Sequence, residues 1–140
     1  MKKKFSKFII FWLPVLVWGT VIFAFSSRPS TPTSQIFWED FILKKMAHVT
    51  IFGIFCSLVY RALKKSLSKQ KYMEYLSIAL TFLYGVTDEI HQSFVPGRDS
   101  TLRDMLIDTF GGVLAMYLIL RILPKTPEKI KNLARRFDFM

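Results

Sequence analysis

The stretch from Phe8 to Phe25 contains no charged residue over eighteen positions, and this feature constrains the fold more than any other. A helix needs about 20 mostly apolar residues to cross the hydrocarbon core of a bilayer. The basic segment Lys2–Lys4 before it also resembles the start of a secretory signal peptide, which is the alternative interpretation. The run is long for a signal peptide and contains Trp12 and Trp18, so we predict an uncleaved transmembrane helix.

Three further apolar runs follow the first span, residues 8–25, at residues 43–63, 75–94 and 105–123. Each is less hydrophobic than the first span because it carries polar residues toward one end. The sequence therefore predicts an all-α integral membrane protein with a single domain, residues 1–140. We expect a bundle of four transmembrane helices followed by a basic cytoplasmic tail from residue 124.

Composition excludes most other classes of protein. Hydrophobic residues make up 51% of the chain, and a soluble domain of 140 residues would find it hard to bury them. The net charge of +10 does not indicate a nucleic-acid partner, because Lys and Arg cluster at the ends of the apolar runs, where membrane topology places them. The single cysteine, Cys56, lies in an apolar run and is expected to be buried or lipid-facing.

The segments between the apolar runs agree with a division into four spans. Residues 26–40 read as a loop that leads into a short amphipathic segment around residues 36–43, and residues 64–71 read as a short basic loop. Pro-Gly in the segment Val95–Arg98 predicts a tight turn between the third and fourth spans. The tail is expected to form an interfacial helix from Glu128 onward.

The basic residues also predict the orientation of the chain. Lys and Arg accumulate on the cytoplasmic side of short loops. With the N-terminus inside, fifteen of the twenty lie on that side, so we expect a multi-pass protein with both termini inside. The inner set is Lys2, Lys3, Lys4, Lys7, Arg61, Lys64, Lys65, Lys69, Lys71, Arg121, Lys125, Lys129, Lys131, Arg135 and Arg136.

This orientation brings the polar residues of the spans together in the outer third of the membrane. Charges at that depth normally face a bundle interior or a wet cavity. We predict a polar cleft with His48, Glu89 and Asp104 facing inward and Arg98 at its rim. The whole set is His48, Asp88, Glu89, His91, Gln92, Asp104 and Asp108.

A simpler interpretation stays open for single residues. Polar groups near the interface are often solvated helix ends, and Arg98 with Asp99 and Arg103 with Asp104 would then be surface ion pairs. We prefer this interpretation for Asp99, Ser100 and Glu39. It does not account for the set as a whole, because a four-helix bundle is stable without it.

The polar residues resemble the VanZ-like family of small bacterial membrane proteins. The resemblance extends from about Lys44 to Leu120, and one departure is Asp108, at a position where members often carry Asn. Its motifs are Lys45-Met46-Ala47-His48, the Glu-x-x-Gln-x-Phe-x-Pro-x-Arg run from Glu89 to Arg98, and Asp104 and Asp108 with Gly111-Gly112.

The resemblance implies a cellular setting. The namesake of the family is associated with resistance to teicoplanin, an antibiotic that acts at the outer face of the cell membrane. The implied location is the cytoplasmic membrane of a Gram-positive bacterium, with action at the cell envelope. The implied partners are membrane lipids or a lipid-linked envelope precursor, and the glycopeptide antibiotic itself.

One hypothesis for the cleft is an enzyme that acts on an outer-leaflet lipid head group or a lipid-linked precursor. His48 would be a general acid or base, Glu89 would share that role, and Asp104 would orient His48 or Arg98. The guanidinium of Arg98 and the ammonium group of Lys45 would hold a phosphate or carboxylate of the substrate. The substrate-binding residues would be Lys45, Gln92, Arg98 and Asp108.

Two other hypotheses stay open. The same groups would suit a non-catalytic module that binds a lipid, the antibiotic or a partner protein. A transporter is disfavoured because the inner halves of the spans show no polar track. We expect no cofactor and no metal, since the sequence has neither a His-Glu-x-x-His nor a paired-Cys spacing.

Overall fold

The chain forms only helices in the part that the structure describes. This computed structural model describes residues 2–29, 36–67, 72–98 and 101–139, with side chains from residue 8. No strand occurs in these ranges, so the all-α prediction is confirmed. The helices are α1 (Lys2–Ser26), α2 (Phe37–Ser66), α3 (Met73–Gln92), α4 (Leu102–Tyr117) and α5 (Glu128–Arg136), and α4 continues through a π-helical turn (Leu118–Ile122) and a 3-10 turn (Leu123–Lys125).

Three segments are long and apolar enough to cross a membrane. They are Phe8–Ser26, Phe37–Ser66 and Leu102–Lys125, and they contain the first, second and fourth predicted spans. The third predicted span, α3, does not reach this measure because its last turns carry Asp88 and Glu89. By length and composition the described residues therefore contain three candidate spans, where the sequence predicted four.

The ends of the chain lie at the same end of the bundle. The indole N–H of Trp12, near the start of α1, donates to the hydroxyl of Ser66 at the end of α2 over 2.9 Å. Past α5, the carboxylate of Asp138 lies 2.5 Å from the ammonium group of Lys65. At the opposite end, Ser26 of α1 donates to Asp88 of α3. Helices α1 and α3 therefore run in one direction and α2 runs in the other.

Glycines bring α2 and α4 into close contact. A Cβ atom added at Gly111 would lie 2.5 Å from the carbonyl oxygen of Val49, and one added at Gly53 would lie 3.2 Å from the carbonyl oxygen of Gly111. Gly112 lies against Cys56, which is fully buried as expected. Small residues of this kind let helix backbones approach in membranes. Gly111 and Gly112 therefore allow the close packing of α4 on α2.

The helix boundaries correct one prediction. The amphipathic segment at residues 36–43 is not separate, because α2 is continuous over Phe37–Ser66. Its 30 residues would extend about 45 Å, longer than a hydrocarbon core of about 30 Å. Phe37 and Trp38, both exposed, suit the interfacial level that aromatic residues prefer. Residues 30–35 and 68–71 of the predicted loops lie outside the described residues, as does Asp99 of the possible surface pair with Arg98.

Two local predictions are confirmed. The carbonyl oxygen of Val95 accepts a hydrogen bond from the N–H of Arg98 at 3.2 Å. Gly97 has a φ of 77°, as the third residue of a type II turn requires. This turn reverses the chain after α3, and a helix begins at Glu128 in the tail, as predicted.

Candidate functional site

His48 of α2 and Asp108 of α4 form a polar pair between these two helices. Lys45 and His48 are one turn apart on α2, and Asp104 and Asp108 are one turn apart on α4. Because the glycine contact holds these helices side by side, the two rows meet. His48 Nδ1 lies 2.9 Å from Asp108 Oδ1, and Asp108 is completely buried. The His48 ring also stacks on Phe52, with centroids 6.3 Å apart.

Lys45 and Asp104 form the neighbouring pair, an ion pair at the start of α4. The Asp104 backbone N–H donates to the hydroxyl of Thr101, which caps the helix. The guanidinium of Arg103 lies 4.0 Å from the same carboxylate, but Asp104 is buried and is not a solvated helix end. We predicted that Asp104 would orient His48 or Arg98, and the structure gives the two carboxylates of α4 different partners. Asp108 holds His48, and Asp104 contacts Lys45.

Asp88 connects α1 to α3 through a network that the sequence analysis did not assign. Its carboxylate accepts from the hydroxyl of Ser26 at 2.6 Å and from the side-chain amide of Gln92 at 2.6 Å. Asp88 and Gln92 are both buried. The four-residue spacing between them places both on one helix face, and this spacing was the signal available in the sequence.

Arg98 forms hydrogen bonds both to the end of α1 and to Gln92 of this network. Its guanidinium donates to the carbonyl oxygens of Phe25 and Arg28, at 2.8 and 2.9 Å, and to the Gln92 side-chain oxygen at 3.1 Å. The last carbonyls of a helix have no partners within the helix and favour a cation. Arg98 is among the residues that line the cavity described below, and three of its N–H groups are already engaged by the protein.

Glu89 belongs to the same end of the bundle but contacts a different element. It is completely buried, and its Oε2 accepts the N–H of Thr101 at 3.0 Å. Glu89 is not among the described residues that line the cavity. His91 also lies apart, with Nε2 3.0 Å from the Ser27 hydroxyl and its ring 4.4 Å from that of Phe23. The structure thus assigns Glu89 a contact with the start of α4.

A cavity of about 550 Å³ opens among these groups. Five cationic side chains and two carboxylates line it, so its walls carry an excess of positive charge. One wall is apolar. The cations are Arg28, Lys44, Lys45, Arg98 and Arg103, the carboxylates are Asp88 and Asp104, and the apolar wall includes Ile22, Phe25, Ile51 and Phe52.

The site residues show no arrangement typical of a metal centre. Among the described residues, no group of three His, Cys, Asp or Glu side chains is placed to hold a metal ion. The carboxylates are instead engaged by separate partners: Asp88 by Ser26 and Gln92, Asp104 by Lys45, and Asp108 by His48.

Five polar residues of the motifs quoted above line one cavity. Lys45, His48, Gln92, Arg98 and Asp104 all line it. A family model described as VanZ/LLP1 matches residues 11–123. The chain belongs to the VanZ/LLP1 family. The VanZ/LLP1 region contains the whole cavity and ends before α5. Comparisons with curated proteins and with solved structures give no significant match.

Proposed function

We propose that the cavity receives the anionic head group of an amphiphile, such as a membrane lipid or a lipid-linked envelope precursor. The observation that carries this proposal is the lining: five cations against two carboxylates, next to an apolar wall. A phosphate or carboxylate would meet ammonium and guanidinium groups, which are its preferred partners. The hydrocarbon part would lie along Ile22, Phe25 and Ile51.

The topology we propose has four crossings and an outward-facing cavity. Helices α2 and α4 run in the same direction, since Lys45 pairs with Asp104 and His48 with Asp108 in the same order. If both cross the membrane, the chain between them must cross back. At 20 residues, α3 is about 30 Å long, enough for that crossing. The excess of Lys and Arg at the opposite end supports a cytoplasmic position for that end.

The low hydropathy of α3 agrees with this crossing. Its polar residues Asp88, Glu89 and Gln92 are buried among the other helices. Polar side chains of a transmembrane helix usually face the bundle in this way. The lipid-facing surface of α3 would be supplied by exposed residues such as Leu83 and Ile90.

Catalysis is a second candidate, favoured by the His48–Asp108 pair. A carboxylate on Nδ1 fixes the orientation of an imidazole and leaves Nε2 for a ligand in the cavity. His48 would then move a proton to or from a bound head group while Lys45 holds its negative charge. Lys45 and His48 lie on the same wall of the cavity, one helical turn apart.

A transporter is the least supported of the three hypotheses. The structure corrects one reason given against it, because Ser77 and Thr81 are fully buried polar residues in the other half of α3. Their hydroxyls donate to the carbonyls of Met73 and Ser77 in the same helix. A row whose hydroxyls are satisfied by their own helix offers little support for a transport path.

A link to the cell envelope and to teicoplanin resistance follows from the family resemblance and from the outward-facing cavity. We expect expression of the protein in a Gram-positive bacterium to raise the teicoplanin concentration that inhibits growth. The variant Lys45→Gln should lose most of this protection at equal membrane abundance. Protection that does not change in Lys45→Gln would separate the resistance from the cavity.

Head-group binding is testable on the purified protein in a non-ionic detergent. A ligand at a hundred times its Kd stabilises a folded protein by about 2.7 kcal/mol. We expect monododecyl phosphate to raise the Tm and dodecylphosphocholine, which carries no net charge, to have a much smaller effect. Lys45→Gln should remove most of the difference. Lys64→Gln, at the other end of α2, should keep it.

Catalysis needs a separate measurement. Envelope lipids and lipid-linked precursors should be compared by mass spectrometry in cells with the wild-type protein, without it, and with His48→Gln. A species that changes only with the wild type would support a reaction and would name the substrate. Three equal profiles would leave binding without turnover as the function.

A further inference from the structure

Helix α5 has two chemically different faces. Ile130, Leu133, Ala134 and Phe137 recur at the three- and four-residue spacing of one helix face. Ile130, Leu133 and Phe137 are 47%, 56% and 53% exposed, so the bundle leaves this face uncovered. Three adjacent exposed large apolar side chains indicate a surface that contacts something other than water.

The remaining surface of α5 is basic. Glu128 is its one acidic residue, and Lys131 and Arg135 lie 2.9 and 3.5 Å from that carboxylate. Lys129 and Arg136 are seven residues apart and lie on one flank of the apolar face. A basic amphipathic helix of this kind typically lies on a membrane surface.

Contacts at both ends of α5 hold it at the edge of the bundle. It starts three residues after Lys125, where the spanning segment that includes α4 ends. It is followed by Asp138, whose carboxylate lies 2.5 Å from Lys65 and 3.9 Å from Arg61, near the end of α2. Nine helical residues extend about 14 Å. Helix α5 therefore connects the ends of two candidate spans at one level of the molecule.

We infer that α5 is a membrane-surface helix that binds anionic phospholipid head groups. Its apolar face lies among the upper acyl chains, and its cations contact the phosphates. Because α5 lies at the ends of two spanning segments, it is at the level of the membrane surface. Its basic flank is complementary in charge to anionic head groups. The negative head groups of anionic lipids attract basic residues that lie next to a span. This inference rests on α5 alone and is independent of the cavity.

A pair of fluorescent probes tests this placement. The environment-sensitive dye NBD would be attached at Leu133→Cys, on the apolar face, or at Asn132→Cys, on the polar face. Cys56 is fully buried and should label poorly. The protein would be placed in nanodiscs of phosphatidylcholine, with or without 30% phosphatidylglycerol.

We expect the probe at position 133 to be blue-shifted and quenched several-fold more than that at 132 by spin-labelled acyl chains. The quenching should increase with phosphatidylglycerol. The double variant Lys129→Gln with Arg136→Gln should lose that increase. The matched variant Lys44→Gln with Arg103→Gln, at the other end of the bundle, should keep it.

Three results would overturn the inference. Equal quenching at positions 132 and 133 would mean that α5 does not lie with one face in the lipid. Quenching that does not depend on phosphatidylglycerol would show that α5 does not bind anionic head groups. A blue shift at 133 without quenching would show that protein, such as a second copy of the chain, covers the face.

Discussion

His48 Nδ1 lies 2.9 Å from Asp108 Oδ1, while the second oxygen, Oδ2, is buried and receives no hydrogen bond from any described residue. The imidazole is thus held by a carboxylate that has no contact with water. Leaving a buried polar atom without a partner costs about 1–3 kcal/mol. One oxygen of Asp108 thus makes a stabilising contact, while the other is a buried polar atom without a described partner. Unfavourable local features of this kind are common at functional sites.

Two substitutions of Asp108 test whether its contact with His48 stabilises the fold. Asp108→Ala removes the partner of His48 and should lower the free energy of unfolding by about 1–3 kcal/mol. Asp108→Asn keeps an oxygen for His48 and should cost clearly less. Thermal unfolding in detergent would measure both. An Asp108→Ala protein as stable as Asp108→Asn would show that the contact with His48 does not stabilise the fold.

The contact between α2 and α4 predicts a specific response to one methyl group. Gly111→Ala places a Cβ 2.5 Å from the Val49 carbonyl oxygen, so the helices must separate, at a cost of about 1–3 kcal/mol. Gly85→Ala is the matched control, because its Cβ would meet Asp108 and Phe52 only at 3.5 Å. We expect a lower Tm for Gly111→Ala alone. Equal Tm values for both variants would contradict the close approach.

Arg98 should not tolerate replacement by lysine. An ammonium group cannot reproduce the fork that serves Phe25, Arg28 and Gln92 together. We expect Arg98→Lys to cost about 1–3 kcal/mol in unfolding free energy. Arg103→Lys, where the side chain is 61% exposed, should be near neutral. If Arg98→Lys changed head-group binding without any loss of stability, Arg98 would be primarily a ligand contact.

The contact of Asp138 with α2 predicts how the attachment of α5 depends on pH. The hydrogen bond from Lys65, together with the charges of Lys65, Arg61 and Lys64, holds the pKa of Asp138 below its usual value. A lowered folded-state pKa means that the contact stabilises the attachment above an ordinary aspartate pKa of about 3.9 and is lost as the pH falls through the folded value. We expect unchanged attachment from about pH 5 to 8.

Hydrogen exchange of the α5 amides, corrected for intrinsic rates, measures this attachment. Asp138→Asn should mimic acid and accelerate exchange at pH 7. Glu128→Gln is the control, because Glu128 pairs with Lys131 and Arg135 within α5. Faster exchange in Glu128→Gln than in Asp138→Asn would assign the order of α5 to its own ion pairs.

Much of this architecture was predictable from the sequence. Apolar runs locate helices because the length of a membrane span is fixed by the bilayer. Pro96-Gly97 gave a correct local prediction because the effect of this pair on the backbone does not depend on distant residues. The convergence of polar residues at one end of the bundle followed from counting crossings.

The pairing within the site was not predictable. Spacing places Asp104 and Asp108 on one face, but the choice between Lys45 and His48 depends on how far α4 is shifted along α2, which the glycine contact sets. The contact of Asp88 was not predicted because its partner Ser26 is sixty-two residues away in the chain. The hydropathy of α3 also gave an incomplete signal, because it does not distinguish polar groups that face lipid from those that face other helices.

The most direct test of the central claim is native mass spectrometry of the protein released from its own membrane. We expect the wild type to retain an anionic amphiphile, and Lys45→Gln to lose most of it. Lys64→Gln, which removes the same charge at the other end of α2, should retain it. Equal retention of the amphiphile by all three proteins, or retention of uncharged lipids alone, would contradict the claim that the cavity binds an anionic head group.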